Sequence, residues 1–194
     1  MKICFASHNE NKVKEMNAIM PKSIQLLGLK DIGIEEDIEE TGDTLEENSK
    51  IKAAYVFEKA KMPVFADDSG LLVKALNDEP GVFSARYAGP QRNDDDNINL
   101  LLKTLGDNEN RSASFETVIT YIDQSGELKQ FKGEIIGDIT KEKRGTYGFG
   151  YDPIFQPTGY ELTFAELTEK EKNRISHRSV AVQKLLDYLQ KIHG

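Results

Sequence analysis

The feature that most constrains this chain is a pair of adjacent aspartates, Asp67 and Asp68, between two apolar segments. Residues 63–66 are apolar and begin with proline, which predicts a buried strand, and residues 71–73 are apolar again. Burying two like charges is costly unless a cation neutralises them. The pattern predicts carboxylates at a strand end, where Gly70 lets the backbone turn and a divalent metal such as Mg²⁺ would bind. The alternative is an exposed turn, because Asp, Ser and Gly are ordinary turn residues.

Composition bounds the class of protein. The chain has 194 residues, 38% of them hydrophobic and 30% charged, which predicts one soluble globular domain over residues 1–194. No apolar run is long enough to predict a membrane span, and the apolar part of residues 1–7 is too short to predict a signal peptide. A single cysteine, Cys4, excludes an internal disulfide and favours a reducing cytoplasm. The net charge of −8 argues against nucleic acid as a partner.

A first candidate anion site follows the first predicted strand, residues 2–6. The loop beginning at Ser7 leads into a predicted helix, and Ser7 or Asn9 is the expected N-cap. Lys12 lies in the first helical turn, where a cation opposes the positive end of the helix dipole. Free backbone amides, the dipole and a lysine together favour a phosphate site, whereas the alternative is a solvated lysine.

An acidic segment, residues 31–47, is predicted to be mostly solvated. Thr44 and Glu47 fit a capping box that starts a helix at about residue 45 and ends it at about residue 60. Asn48 and Lys52 then lie one turn apart on one side of this helix. The buried contacts expected of it are Ile51, Ala54, Tyr55 and Phe57.

The middle of the chain carries three further predicted elements. Residues 84–87 are expected to form a short helical piece, and Asp94 to Asp96 open an amphipathic helix that Gly106 ends. Acids at a helix start suit the dipole, and this interpretation is favoured over a metal site. Residues 113–122 and 127–136 alternate and predict a β-hairpin.

A glycine-rich loop, residues 145–153, contains Phe149 and Tyr151. These rings are either anchors packed on the core or a platform on which a flat base stacks. After it, Thr168 and Glu171 fit a capping box, and Ser176 is the expected cap of a last helix. The apolar stripe of that helix is predicted to contain Val182, Leu185, Leu186, Leu189 and Ile192.

A second candidate anion site lies near the start of this last helix. Lys172, His177 and Arg178 place cationic side chains there. A lone histidine is more often structural, but its two cationic neighbours favour ligand contact. Together, two cationic helix starts, paired carboxylates and loop aromatics fit a nucleotide with Mg²⁺, and name neither the base nor the bond cut.

The chain also resembles the noncanonical purine NTP pyrophosphatase family, the inosine and xanthosine triphosphate pyrophosphatases. The resemblance covers nearly the whole chain, in the family's order, and rests on eight motifs. They are SHNENK (7–12), EETG (39–42), EN (47–48), ADDSG (66–70), PG (80–81), SARY (84–87), GFGYDP (148–153) and ISHR (175–178).

The resemblance implies a two-lobed α/β fold with a long mixed β-sheet flanked by helices and an active-site cleft between the lobes. It implies a homodimer that hydrolyses dITP, ITP and XTP to the monophosphate and pyrophosphate with Mg²⁺. Asp68 would accept the proton and bind the metal together with Glu39, or its neighbour Glu40. The implied substrate contacts are Ser7, His8, Asn9, Glu10, Asn11 and Lys12 for the triphosphate, then Ser69, Phe149, Gly150, Tyr151, Asp152, Lys172, His177 and Arg178.

Two positions depart from the family pattern, since His8 and Tyr147 stand where glycine is frequent. Three alternatives stay open at this stage. A Maf-like nucleotide pyrophosphatase would be expected to open with a Ser/Arg-rich loop, and an aspartyl-phosphate phosphatase would need an early Asp-x-Asp-x-Thr motif. A non-catalytic nucleotide-binding protein would need neither Asp68 nor Glu39.

Overall fold

The computed structural model describes residues 1–193 and shows a mixed α/β fold. The strands are β1 (Lys2–Phe5), β2 (Gln25–Leu27), β3 (Val64–Val73), β4 (Ser112–Ile122), β5 (Leu128–Ile139) and β6 (Phe155–Pro157). The α-helices are α1 (Glu10–Ile19), α2 (Leu45–Ala60), α3 (Asp94–Leu105), α4 (Glu169–Ile175) and α5 (His177–His193). Among these described residues, no helix is long and apolar enough to cross a membrane.

The strands form one six-stranded sheet in the order β2-β1-β3-β4-β5-β6. Strand β1 pairs in parallel with both β2 and β3, whereas β5 pairs with β6 in antiparallel fashion. The sheet is therefore mixed, which confirms the fold class expected from the resemblance.

The chain divides into two compact units. The first contains Met1–Asp68, Thr117–Gly133 and the segment from Ser179 onward, and the second contains Ser69–Glu116 and Glu134–Arg178. Each unit has its own apolar core, so each is described by itself below.

In the first unit, side-chain alternation along β1 and β3 produces two separate clusters. Phe5 and Phe65 stack with ring centroids 4.8 Å apart and pack in one cluster with residues of α1 and α5. Cys4 and Ala66, one position along each strand, pack in the other cluster with residues of α2. Because successive side chains of a strand point to opposite faces, these two strands are covered on both faces.

The core of the second unit is built around aromatic rings. Phe115 packs against Phe155 and Phe164, with ring centroids 4.6 and 5.9 Å away. Helix α3 adds Ile98 and Leu101, both fully buried. The helix therefore forms part of this core, and its first turn carries the three aspartates predicted to lie at its start.

Most predicted helix boundaries are confirmed. Asn9 caps α1, Thr44 caps α2, and Thr168 forms the predicted capping box at the start of α4. These caps were predictable because each rests on a local hydrogen bond between neighbouring residues. In α5, Val182, Leu185 and Leu189 are buried as expected. The prediction is wrong for Ile192, which is 43% exposed.

The predicted strand end at Asp67 and Asp68 is wrong. Both aspartates, Ser69 and Gly70 lie inside the continuous ten-residue strand β3, with no turn between its apolar halves. Gly70 has a different role, because a Cβ there would lie 2.6 Å from the carbonyl oxygen of Gly81. The glycine therefore permits two backbone segments to approach closely.

The predicted buried contacts of α2 are confirmed only in part, since Ala54, Tyr55 and Phe57 are half-buried against the core of the first unit. The helix buries Asn48, Ser49 and Lys52 with Ala53 and Val56, while the four residues expected to be buried are only partly so. The hydroxyls of Ser49 and Thr120 lie 2.7 Å apart, so part of this polar face is satisfied by hydrogen bonds within the first unit. Polar residues on the inner face explain why apolar patterning misplaced it.

Candidate functional site

In the first unit, the two adjacent aspartates serve opposite faces of β3. Asp67 is 1% exposed, and its Oδ2 lies 2.9 Å from Nζ of Lys12 on α1. Asp68 is 7% exposed, and its Oδ1 accepts a hydrogen bond of 3.2 Å from Nζ of Lys52 on α2. Alternation along the strand explains this, because α1 and α2 pack on different faces. One lysine from each covering helix thus forms an ion pair with one of the two aspartates.

Asp68 belongs to a short chain of charges within the first unit. Lys52 donates to Asp68 and also, over 2.5 Å, to Oε1 of Glu40. Burial raises the pKa of Asp68 above its ordinary value, although Lys52 and Lys12 oppose this shift. Burial alone would lower the pKa of Lys52, but the surrounding carboxylates raise it above its ordinary value. A raised pKa makes the ionised carboxylate a stronger base, which suits a proton acceptor.

The donor set around Asp68 fits Mg²⁺. Its second oxygen, Oδ2, is buried and has no hydrogen-bond partner within residues 1–193. Glu40 accepts a hydrogen bond from Lys52, the lysine that also contacts Asp68, whereas Glu39 is exposed. The described residues contain no cluster of three or more His, Cys, Asp or Glu side chains suited to a metal. Mg²⁺ is compatible with this, since it commonly binds through one or two carboxylates, waters and substrate phosphates.

The predicted phosphate loop lies at the start of α1. Ser7 Oγ accepts from the amide of Asn9, whose own side chain caps the helix by accepting from the amide of Lys12. His8 Nε2 lies 3.0 Å from the carbonyl oxygen of Glu36, so the histidine contacts the acidic segment. The structure places the remaining two predicted residues, Glu10 and Asn11, exposed in the first turn.

In the second unit, the two aromatics of the glycine-rich loop have different roles. Tyr151 is buried, and its hydroxyl donates a 2.8 Å hydrogen bond to the carbonyl oxygen of Ser84, so it is a core anchor. Phe149 is only partly buried and lies between Gly148 and Gly150, both at positive φ. Of the two alternatives left open by the sequence, anchoring describes Tyr151, whereas stacking stays a prediction for Phe149.

The second candidate anion site is a buried ion pair. Nζ of Lys172 donates over 2.6 Å to Oδ2 of Asp152, and the two side chains are 5% and 4% exposed. The same carboxylate oxygen accepts a 3.0 Å hydrogen bond from the amide of Phe149. At Gly148, any Cβ would collide with this carboxylate. The pair therefore holds the glycine-rich loop in place.

Three further predicted residues lie in the second unit. Nη2 of Arg178 donates a 3.3 Å hydrogen bond to Oγ of Ser69. The guanidinium carbon of Arg178 lies 5.7 Å from the ring centroid of Phe149. His177 is buried and stacks on Phe115, with centroids 4.7 Å apart. Lys172 also faces the ring of Phe149, at 4.8 Å. The structure thus brings Ser69, Phe149, Asp152, Lys172 and Arg178 together within one unit.

Lys52 contacts both Glu40 and Asp68, but the sequence did not predict it as a site residue. The sequence places Lys52 beside Asn48 on one side of α2 and indicates no role for it. A signal was present, since Lys52 falls in register with Leu45, Asn48 and Val56 at helical spacing. A lysine in a buried helical stripe needs a carboxylate partner, which here is supplied by Asp68 and Glu40.

The fold and the site define an α/β protein with a mixed sheet and buried carboxylate–lysine pairs. The Ham1 family profile matches residues 3–188 of this chain. The chain belongs to the Ham1 family.

Two relatives and two solved structures resemble this chain over almost all of its length. The dITP/XTP pyrophosphatase of Flavobacterium johnsoniae is 54% identical, with 97% of this chain and 98% of the relative covered. That of Christiangramia forsetii is 51% identical, with 98% and 100% covered. The Staphylococcus aureus Ham1 protein has a TM-score of 0.90 at 41% identity, covering 98% of this chain and 99% of that one. The Mycobacterium abscessus nucleoside-triphosphatase / dITP/XTP pyrophosphatase has a TM-score of 0.78 at 41% identity, covering 96% and 99%.

Proposed function

We propose that this protein hydrolyses noncanonical purine nucleoside triphosphates, namely dITP, ITP and XTP, to the monophosphate and pyrophosphate. The observation that carries this conclusion is the buried Asp68, whose pKa is raised and which is held by Lys52 beside Glu40. Relatives about half identical over nearly the whole chain are named dITP/XTP pyrophosphatase, which supports the same reaction here.

Asp68 acts as the proton acceptor in this proposal. The carboxylate orients a water molecule and takes its proton as the water oxygen attacks the α-phosphorus in line. A bond forms between the water oxygen and the α-phosphorus, and the bond to the bridging oxygen breaks, so pyrophosphate departs. The ammonium group of Lys52 keeps the carboxylate oriented, since it contacts Asp68 through Oδ1.

We propose Mg²⁺ as the cofactor, held by Asp68 with Glu40 or Glu39. When bound, it would supply Lewis-acid stabilisation of charge on the triphosphate and on the departing pyrophosphate. Of the two glutamates, Glu40 is favoured because it accepts a hydrogen bond from Lys52, which also donates to Asp68. The buried oxygen Oδ2 of Asp68 is the atom we assign to this contact.

The triphosphate is assigned to Ser7, His8, Asn9, Glu10, Asn11 and Lys12. The amides at the start of α1 and the ammonium group of Lys12 provide positive charge for phosphate oxygens. Lys12 pairs with Asp67 in the structure, so it is held in place before substrate arrives. Preorganised donors lose less entropy on binding than free lysines do.

The base is assigned to the second unit. Phe149 offers a partly exposed ring for stacking, and Gly150, Tyr151 and Asp152 fix the shape of its loop. Ser69, Lys172, His177 and Arg178 complete the nucleotide contacts. A donor aimed at O6 of hypoxanthine or xanthine would face the amino group of adenine, so ATP would leave that donor unpaired and be rejected.

We further propose that the enzyme is a homodimer that acts in the cytoplasm. The family resemblance supports the dimer, and the free thiol of Cys4 suits a reducing compartment. Sedimentation velocity would give twice the mass of one chain if the dimer proposal is correct, and the mass of one chain if it is wrong.

The proposed activity is tested directly by a substrate panel. The protein is incubated with ITP, dITP, XTP, ATP and GTP in Mg²⁺, and the released product is identified. We expect pyrophosphate and the monophosphate from the first three, with kcat/KM at least about 100-fold lower for ATP, because adenine leaves the O6 donor unpaired. Release of orthophosphate, or equal turnover of ATP and GTP, would contradict the proposal. Binding without turnover would favour a nucleotide-binding protein.

A lysine substitution tests the phosphate role of α1. Lys12→Ala should weaken ITP binding by about 10-fold and IMP binding by less than about 3-fold, because IMP lacks the β- and γ-phosphates. Isothermal titration calorimetry with both nucleotides measures this difference when Mg²⁺ is left out, so that ITP is not hydrolysed during the titration. Lys14→Ala is the matched control, since Lys14 lies on the same helix and is exposed. Equal losses for ITP and IMP would refute the assignment.

A further inference from the structure

The backbone on both sides of the Phe149 ring is held by carboxylates of the second unit. The amide of Phe149 donates to Oδ2 of Asp152 over 3.0 Å. The next amide, that of Gly150, donates to Oδ2 of Asp94 over 2.7 Å. Because the Gly150 amide belongs to the peptide group that follows Phe149, Asp94 fixes the carboxyl side of this residue as Asp152 fixes its amino side.

Asp94 is carried by an anchored element. It is the first residue of α3, whose Asn97 accepts a 2.7 Å hydrogen bond from the amide of Ala88 and donates over 3.1 Å to the carbonyl oxygen of Ala85. Further along the same helix, Ile98 and Leu101 are fully buried in the core of this unit. A carboxylate on a fixed helix end restrains its partner more than one on a mobile loop would.

The three aspartates that open α3 have different contacts. Asp95 pairs with Nζ of Lys143 at 2.7 Å, and Asp96 accepts from Nε2 of Gln91 at 3.4 Å. Within residues 1–193, Asp94 is the one of these three with a hydrogen bond to the backbone of the glycine-rich loop. The acidic helix start suits the dipole, as the sequence indicated, but the dipole treats the three acids alike. It therefore does not explain the contact that Asp94 makes.

We propose that Asp94 is a positioning residue for base recognition: through the Gly150 amide it holds the ring of Phe149 in the orientation that stacks on the purine. This inference rests on the proposed function, because it assigns the ring to the base of the substrate. Stacking contributes to substrate binding in the ground state and the transition state alike, so its loss raises KM and leaves kcat unchanged. In this proposal Asp94 acts through the Gly150 amide and is assigned no contact with the reacting phosphate.

Steady-state kinetics with ITP and Mg²⁺ provide the first test. Asp94→Ala removes the acceptor and should raise KM by about 5- to 10-fold with kcat within about twofold. Asp94→Asn keeps an acceptor oxygen at the same place and should restore KM to within about twofold of the parent value. Asp96→Ala is the matched control, since it removes one negative charge from the same helical turn. It should change KM by less than about twofold.

A second measurement reports on the loop without any substrate. The chain contains seven tyrosines and no tryptophan, so Phe149→Trp introduces a single tryptophan at the loop ring, and its emission can be excited selectively. In this background, Asp94→Ala should increase acrylamide quenching and lower the fluorescence anisotropy, whereas Asp96→Ala and Asp94→Asn should not. A purely structural contribution of the helix start would affect the two alanine variants equally.

Each outcome decides between the positioning role and its alternatives. Unchanged quenching in Asp94→Ala overturns the proposal, and so does an equal rise of KM in Asp94→Ala and Asp96→Ala. If Asp94→Asn behaves like Asp94→Ala, the negative charge and not the hydrogen bond matters, and the proposal is also wrong. If quenching changes as expected but the parent protein turns over no purine triphosphate, the loop is positioned by Asp94 and the proposed function fails instead.

Discussion

Replacing Asp68 by asparagine should lower kcat for ITP by about 10³-fold, within the range that loss of a positioned general base costs. The amide has nearly the same shape and still accepts a hydrogen bond from Lys52, so the protein should stay folded and bind nucleotide. Single-turnover kinetics with ITP, calorimetric titration with the same nucleotide and a thermal melt measure the three quantities. Full residual activity in a folded variant would remove Asp68 from the mechanism.

The neighbouring Asp67 supplies the comparison for this variant. Asp67→Asn removes the same charge one residue away, but on the opposite face of β3, where the partner is Lys12. We expect this variant to weaken triphosphate binding while kcat falls by less than about 10-fold, because the proton acceptor is intact. Equal losses of kcat in the two variants would indicate a general effect of charge and not catalysis by Asp68.

The raised pKa of Asp68 adds a pH dependence to the same prediction. Burial raises this pKa above the ordinary value of an aspartate, and the group must be ionised to accept a proton. The value of kcat/KM should therefore fall as the pH drops through the raised pKa, and recover above it. The residual activity of Asp68→Asn should lack this acidic limb. A parent profile that is flat down to the ordinary carboxyl range would contradict the assignment.

Replacing Lys172 by methionine should lower the free energy of unfolding by about 3–5 kcal/mol, the usual cost of breaking a buried ion pair from one side. The variant leaves the carboxylate of Asp152 buried without the ammonium group that contacts it at 2.6 Å. Urea denaturation followed by circular dichroism measures the change. Nucleotide affinity should fall as well, because Asp152 also binds the amide of Phe149.

Two comparisons separate the buried pair from lysine loss in general. Lys143→Met breaks the exposed pair with Asp95 and should cost less than about 1 kcal/mol. Adding Asp152→Asn to Lys172→Met removes the uncompensated charge and should recover part of the lost stability. A cost for Lys172→Met no larger than that for Lys143→Met would show that this pair is not structurally important.

The sequence predicted the features that depend on neighbouring residues. The caps Asn9, Thr44 and Thr168, the last turn of α3 at Gly106 and the hairpin region all depend on residues a few positions apart. The mixed sheet and the family were predictable from ordered motifs, each short but jointly specific.

Pairings between distant segments were not predictable from spacing. The sequence does not reveal that Lys12 and Lys52, forty residues apart, serve adjacent aspartates, because helices α1 and α2 first have to pack on opposite faces of the sheet. For the same reason, the sequence did not predict that β3 continues through Asp67 and Asp68. A turn was expected because acids inside a buried strand are unfavourable, and the compensating lysines are remote in sequence.

Because side chains alternate along β3, the face on which each of its two aspartates lies depends on whether the number of preceding strand residues is odd or even. Inserting or deleting one residue between Phe65 and Asp68 would move the carboxylate of Asp68 to the face of α1 and that of its neighbour to the face of α2. A change of two residues would preserve the faces and alter only the height along the strand. An insertion or deletion of an even number of residues in this segment therefore keeps each aspartate beside its lysine's helix, whereas an odd number does not. No single-residue substitution reveals this constraint.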